Sequence, residues 1–202
     1  MSATSHPLRV GVLASGQGTN LQALLDTLDP AEAAIVAVAS DKPDAHALER
    51  ARAAGIAQRV FLRADHETRE QRDAAIAAWL VEGRVELVVL AGYMAILTPT
   101  FIRAFPDRII NVHPSLLPAF PGIRAIEQAV EHGAEVFGVT VHLVDEGVDT
   151  GAILLQDGVR LPDVEGPGEV LAALRPIEHR LLPEAVRRAA QGRLVPRRDV
   201  VG

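Results

Sequence analysis

The stretch LRVGVLASGQGTNLQALLD, Leu8 to Asp26, decides how the chain is read. Leu8 to Ala14 is a short apolar run of the kind that forms a buried strand. Ser15-Gly16-Gln17-Gly18-Thr19-Asn20 follows, and Leu21 to Asp26 then takes helical spacing. A strand, a glycine loop and a helix in succession can cradle an anion. Glycines let backbone N–H groups approach it closely, and the helix N-terminus adds about half a positive charge. The loop has neither the Lys-Ser/Thr pair of a P-loop nor the third glycine of a dinucleotide fingerprint, so the layout is sized for one phosphate. The same residues also fit a plain glycine turn with Thr19 or Asn20 as helix cap.

Outward from there, strands and helices alternate. Ala34 to Ala39 reads as a strand and Ser40 to Pro43 as a turn. Ala45 to Ala54 is a helix closed by Gly55. Val60 to Leu62 is a short strand. Thr68 to Trp79 is a helix with Ala74, Ala75 and Ala78 on its apolar face and Arg69 in its first turn, where a surface arginine is the plain alternative. Leu87 to Gly92 is the most apolar strand and is expected at the centre of the sheet. Tyr93 to Leu97 stands at its carboxyl end, where open α/β sheets bind ligands. Those residues suit a pocket wall for a flat heterocycle or ordinary core equally. Thr98-Pro99 opens a short helix. Ile123 to Glu131 is a helix ended by Gly133. Phe137 to Val144 and Ile153 to Gln156 are a strand pair flanking the acidic loop Asp145 to Gly151. Gly168 to Gly192 is helical, bent or broken at Arg175-Pro176 and Leu182-Pro183. The pattern predicts one α/β domain over residues 1–202, a mostly parallel sheet covered on both faces, and loose ends at 1–7 and 195–202.

The chemistry is expected at Ile109-Ile110-Asn111-Val112-His113-Pro114-Ser115-Leu116-Leu117-Pro118. Two β-branched residues start a strand, and Pro114 ends it at His113. Asn111 and His113 are two apart, so on an extended chain they point to one side. A positioned imidazole can move a proton near neutral pH, and an amide beside it can hold an oxygen that gains charge. A carboxylate from Asp145, Glu146 or Asp149 could orient the ring. Ser115, inside a turn, is expected to cap backbone rather than act as a nucleophile. The site therefore suits direct acyl transfer, or hydrolysis by water. The loop lacks the length and terminal glutamate of an EF-hand calcium site.

Composition narrows the classes further. With 49% hydrophobic residues the chain can bury a sizeable core, and with no cysteine it has no disulfide framework, thiolate metal site or cysteine nucleophile. A net charge of -6 gives no footprint for nucleic acid. Short basic pairs, Arg187-Arg188 and Arg197-Arg198, read as solvated positions. There is no apolar signal core near Met1 and no run long enough to span a bilayer, so a cytoplasmic protein is expected.

Asn111-Val112-His113-Pro114-Ser115-Leu116-Leu117-Pro118 together with Val148-Asp149-Thr150-Gly151 resembles the folate-dependent formyltransferase superfamily, whose shared Asn, His and Asp fall here on Asn111, His113 and Asp149. The loop Ser15 to Leu21 is similar to that of the branch whose acceptor is 5-phosphoribosylglycinamide. The likeness runs on through Ser40-Asp41-Lys42, Leu48 to Ala51, Leu90 to Met94 and Gln156 to His179. It implies a Rossmann-like formyltransferase fold with a C-terminal antiparallel strand pair. The implied reaction moves the formyl group of 10-formyltetrahydrofolate to the acceptor's amine, in purine biosynthesis, with no metal. His113 would bind the formyl oxygen and shuttle a proton, Asn111 would hold the same oxygen, and Asp149 would favour the charged imidazole and order a water. The ribonucleotide and its phosphate would take Gly16, Gly18, Thr19, Asn20, Leu21, Gly92, Arg175 and Glu178. The folate would take Arg69, Met94, Ala95, Ile96, Leu97, Asn111, Val144, Asp145, Glu146, Gly147 and Val148. The pattern departs at Ala95, where relatives often have arginine, and at Arg124-Ala125-Ile126, where some have histidines.

The rivals within this likeness are a formyltetrahydrofolate deformylase, which carries an N-terminal regulatory domain, and a methionyl-tRNA formyltransferase, which needs a basic C-terminal tRNA-binding domain. Neither extra domain is expected here. A non-catalytic folate- or nucleotide-binding protein is the reading from another class. Small-molecule substrates, no nucleic acid, no membrane, and a monomer or homodimer complete the expectation.

Overall fold

The computed structural model describes residues 6–194. The loose ends expected at 1–7 and 195–202, and the pair Arg197-Arg198, therefore lie outside the described residues, apart from His6 and Pro7. The elements in order are β1 (Leu8–Leu13), α1 (Thr19–Thr27), β2 (Ala33–Ser40), α2 (His46–Ala53), β3 (Ala57–Val60), a 3₁₀ turn (Arg63–Asp65), α3 (Arg69–Glu82), β4 (Leu87–Leu90), α4 (Pro99–Ala104), β5 (Ile109–His113), α5 (Ala125–Glu131), β6 (Val136–Leu143), β7 (Ile153–Arg160) and α6 (Pro167–Ala190). They build one seven-stranded sheet in the order β3-β2-β1-β4-β5-β6-β7. Neighbours from β3 to β5 run parallel, whereas β5–β6 and β6–β7 are antiparallel. As its apolar sequence implies, β4 holds the middle place, and all four of its residues are buried.

Strand alternation divides the core. Val10, Val12, Leu87, Val89, Ile110 and Val112 face one layer, where Leu21, Leu24, Ala47, Ile126, Val170 and Leu182 pack against them. Leu13, Val88, Leu90 and Ile109 face the other, covered by Ile76, Leu80 and Phe101. Helices thus lie on both faces, and the central strands β4 and β5 bury both sides.

Several element readings need correction. On α3, Ala74 and Ala78 are exposed and Ala75 half-buried; the buried residues are Arg72, Asp73, Ile76, Ala77 and Leu80. A charged pair, Arg72 and Asp73, occupies the inner face, so the apolar period alone pointed to the wrong side. The stretch after α2 pairs at Ala57–Val60 rather than at 60–62. It is an edge strand with polar Gln58 and Arg59, so no apolar run marks it. α5 starts at Ala125 because Arg124 is left-handed (φ 60°), leaving Ile123 outside the helix and exposed. β7 runs on to Arg160 along β6. Finally, α6 is one unbroken 24-residue helix despite Pro176 and Pro183. An interior proline costs roughly 3 kcal/mol. Against that, Val170, Leu174, Leu181, Leu182, Ala185 and Val186 are buried along it, and each large side chain contributes about 1.5–3 kcal/mol.

Gly18 fixes where the first loop ends. It is the N-cap of α1 in a left-handed conformation (φ 67°), and neither Thr19 nor Asn20 caps the helix. A Cβ on Gly18 would lie 2.7 Å from the Ala47 Cα, because α2 abuts the loop and Ala47 donates its N–H to Gly16 O at 3.1 Å. The Gly18→Ala variant is expected to lose about 1–3 kcal/mol from backbone strain, with the overlap adding to it. A lowered urea midpoint at unchanged slope would show this; an unchanged midpoint would contradict it.

Candidate active site

The carboxyl ends of β1, β4 and β5 lie side by side, and the candidate residues gather there. Parallel pairing sets Leu13 beside Leu90 and Leu90 beside Asn111. The chain leaves β1 at Ser15, β4 at Gly92 and β5 at His113. Ile110 and Val112 are committed to one core layer, so Asn111 and His113 share the opposite side, as their spacing implies.

Asp149 arrives from the loop between β6 and β7 and ties these groups together. Its Oδ2 accepts the Gly122 N–H at 2.7 Å and lies 3.3 Å from His113 Nδ1. Its Oδ1 lies 3.4 Å from Asn111 Nδ2 and 3.4 Å from His142 Nε2. The backbone of Asp149 is left-handed (φ 53°), a conformation aspartate tolerates better than most residues. His113 Nε2 faces the Phe120 carbonyl at 2.9 Å. Both ring nitrogens of His113 thus face oxygen acceptors.

Burial of the Asp149 carboxyl opposes its ionisation. Hydrogen bonding from His142 and from the Gly122 N–H, with the charges that His113 and His142 can carry, outweighs that and holds the carboxyl below the ordinary carboxylate range. The other two acids of the loop are engaged elsewhere. Asp145 Oδ1 accepts from Gly147 N and Thr150 Oγ1 at 3.1 and 2.6 Å, and Glu146 pairs with Arg103 at 3.2 Å.

His142 is the group that sequence reading passed over. It sits on β6 directly opposite Asn111 and is fully buried. Its Nε2 is 3.2 Å from Asn111 Nδ2 and its Nδ1 2.7 Å from Leu143 O. The available signal was register: an antiparallel neighbour of β5 must set one residue against Asn111. A polar support lies on the same strand. Thr140 Oγ1 accepts the Leu117 N–H and Gln156 Nε2 and donates to Ser115 O. This holds the Pro114–Pro118 loop, which contains a cis Leu117–Pro118 bond. Ser115 Oγ donates to Ala119 O at 2.6 Å, the backbone role expected of it.

Of the residues assigned to a ribonucleotide, Gly16, Gly18, Thr19, Asn20 and Leu21 form the loop and the start of α1, and Gly92 O accepts the Ser15 N–H at 3.1 Å. Asn20 Nδ2 donates to Glu178 Oε2 at 3.1 Å across to α6, while Asn20 Oδ1 is buried with no partner among the described residues. Burial pushes the Glu178 carboxyl up, with Asn20 and the Arg175 charge opposing it. Arg175 itself is exposed.

The residues assigned to a folate divide. Met94 and Ile96 are 66% and 57% exposed, Ala95 is half-buried and Leu97 belongs to the core. Val144 is half-buried, whereas Asp145, Glu146, Gly147 and Val148 are exposed. Arg69, the first residue of α3, is exposed and joins none of the hydrogen bonds around Asp149. Arg124 pairs with Glu131 at 3.3 Å. Among the described residues no cluster of His, Cys, Asp and Glu has the arrangement of a metal site.

A carboxyl held low contributes stability above its unfolded value, about 3.9, and loses it as pH falls through the folded value. The stability gap between the unaltered chain and Asp149→Asn is therefore expected to be wide at about pH 5 and to close below about pH 4. Urea unfolding across that range measures it; a gap that persists undiminished at about pH 3 would contradict this charge assignment.

Known proteins are similar to this chain over most of its length. The family model described as formyl transferase matches residues 8–186. Phosphoribosylglycinamide formyltransferase of Haemophilus influenzae is 43% identical over 188 residues, covering 92% of this chain and 89% of that protein. The trifunctional purine biosynthetic protein adenosine-3 of Homo sapiens is 41% identical over 186 residues, which is 91% of this chain and 18% of that protein. The crystal structure of glycinamide ribonucleotide transformylase 1 from Symbiobacterium toebii superposes with a TM-score of 0.90 at 46% identity, covering 94% of this chain and 91% of that one. The chain belongs to the formyl transferase family.

Proposed function

We propose that this enzyme transfers the formyl group of 10-formyltetrahydrofolate to the amine of 5-phosphoribosylglycinamide, as a step of purine biosynthesis. The carrying observation is the Asp149 carboxylate, which draws Asn111 and His113 together at the sheet edge beside the glycine loop. Relatives named for this reaction, at 43% identity across nearly the whole chain, support it. We read the protein as a cytoplasmic monomer or homodimer acting on free small molecules.

In this reading the amine attacks the formyl carbon directly. A C–N bond forms to the acceptor, the bond from the formyl carbon to the folate nitrogen breaks, and the proton lost by the amine ends on that nitrogen. His113, oriented by Asp149, hydrogen-bonds the formyl oxygen as it gains charge and relays the proton. To do so it exchanges one of its two present partners, Asp149 or the Phe120 carbonyl, for substrate. Asn111 holds the same oxygen. The loop Gly16 to Leu21 takes the phosphate on backbone N–H groups. Asn20 and Glu178, with Arg175 near them, take the ribose side. The Asn20 Oδ1, buried with no partner among the described residues, favours an acceptor with a donor group there over water as nucleophile. The folate lies along Arg69, Met94 to Leu97 and Val144 to Val148, and no metal takes part.

His113→Asn is expected to lower formyl transfer by about 10²–10⁴-fold while both substrates still bind within about tenfold. Steady-state turnover with equilibrium binding of each substrate measures this. Normal turnover by the variant would overturn the assignment.

A further inference from the structure

Ser15 and Asp41 lie outside the residues assigned so far, yet they join the first loop to the segment after β4. Ser15 is buried at the end of β1. Its N–H donates to Gly92 O at 3.1 Å, so its backbone grips one side of the Gly92 turn. Its Oγ accepts the Met94 N–H at 2.9 Å on the other side, and donates to Asp41 Oδ1 at 2.5 Å. An ionised carboxylate is an acceptor only. Asp41 therefore accepts the hydroxyl's hydrogen bond, and the Ser15 lone pairs are left turned towards the Met94 N–H. One hydroxyl rotor, set by one acid, fixes a backbone N–H.

The far end of the same segment is pinned in a similar way. Thr98 N–H donates to Asp73 Oδ2 at 2.7 Å, and Asp73 Oδ1 is held by Arg72 Nε and Nη2 at 3.0 and 2.8 Å, all buried. Between the pins, Met94 and Ile96 stay exposed. Large apolar side chains presented to solvent on a backbone fixed at both ends make a preformed wall for a flat apolar ligand.

We propose that Ser15 and Asp41 form a positioning pair that holds the Gly92–Leu97 segment in register for the formyl donor; this rests on the donor lying along Met94 to Leu97. The pair touches no reacting atom. Its loss weakens donor binding without weakening the acceptor, although Ser15 directly precedes the glycine loop.

The test compares Ser15→Ala, Asp41→Ala, Asp41→Asn and the Ser15→Ala/Asp41→Ala double variant. Titration calorimetry with a non-reactive reduced-folate analogue and with the ribonucleotide acceptor is combined with steady-state kinetics. Ser15→Ala and Asp41→Ala are each expected to weaken the analogue, and raise the donor KM, by about three- to tenfold, the worth of one hydrogen bond. Acceptor affinity stays within about twofold and kcat within about threefold. Asp41→Asn keeps an oxygen acceptor for Ser15 and restores donor binding to within about twofold. The double variant is no worse than Ser15→Ala alone, because the two groups act as one. Equal weakening of the acceptor, an unmoved donor, or Asp41→Asn as poor as Asp41→Ala would each overturn the pair. If the unaltered chain bound the analogue but transferred no formyl group, the proposed reaction would fall while the pair remained.

Discussion

A single carboxylate placed among four polar groups organises this molecule's working edge. Asp149 faces His113, Asn111, His142 and the Gly122 N–H. A mostly buried carboxylate is costly unless such partners surround it. The partners come from three parts of the chain: Asn111 and His113 from β5, His142 from the neighbouring antiparallel strand, and Gly122 from the turn after the cis proline. The interaction therefore reports whether the sheet, the Pro114–Pro118 loop and the β6–β7 loop have all assembled. It also leaves the oxygens of Asp149 saturated, which restricts where the His113 ring can turn.

The sheet makes this placement possible. Parallel strands β1, β4 and β5 end at one edge, and two apolar layers fill both of their faces. The interior is committed to packing, so polar chemistry is confined to strand ends. The switch to antiparallel pairing after β5 matters as well. It turns β6 back so that His142 lies opposite Asn111, and the loop that follows β6 sets Asp149 against Asn111 and His113. Glycine and left-handed residues appear where the chain turns tightly around the site: Gly18, Gly92, Gly122, Phe120, Arg124 and Asp149 all have positive φ.

Much of this was legible in the residues. Alternation of strand and helix, the place of Leu87 to Leu90 at the centre, and the common side of Asn111 and His113 follow from period and proline position. The choice of Asp149 over Asp145 and Glu146 came from family likeness, and the geometry separates them by their partners. What stayed hidden had physical causes. The buried pair Arg72 and Asp73 disguised the inner face of α3. Burial along α6 overrode two prolines. β3, at the sheet edge, had no apolar signal to read. His142 gained its place through register with a distant strand, which no local pattern encodes. Ser15 and Asp41 are 26 apart in sequence and meet only because β1 and β2 pair side by side.

The most direct test follows a ¹³C-labelled formyl group by NMR. Labelled 10-formyltetrahydrofolate is given to the purified protein with and without 5-phosphoribosylglycinamide. The account predicts that label leaves the folate only when the amine is present, and that it appears in the formylated amine, one for each tetrahydrofolate released. Label appearing as formate at an equal rate without the amine would contradict it. Water would then be the nucleophile, and the glycine loop would have no acceptor to hold.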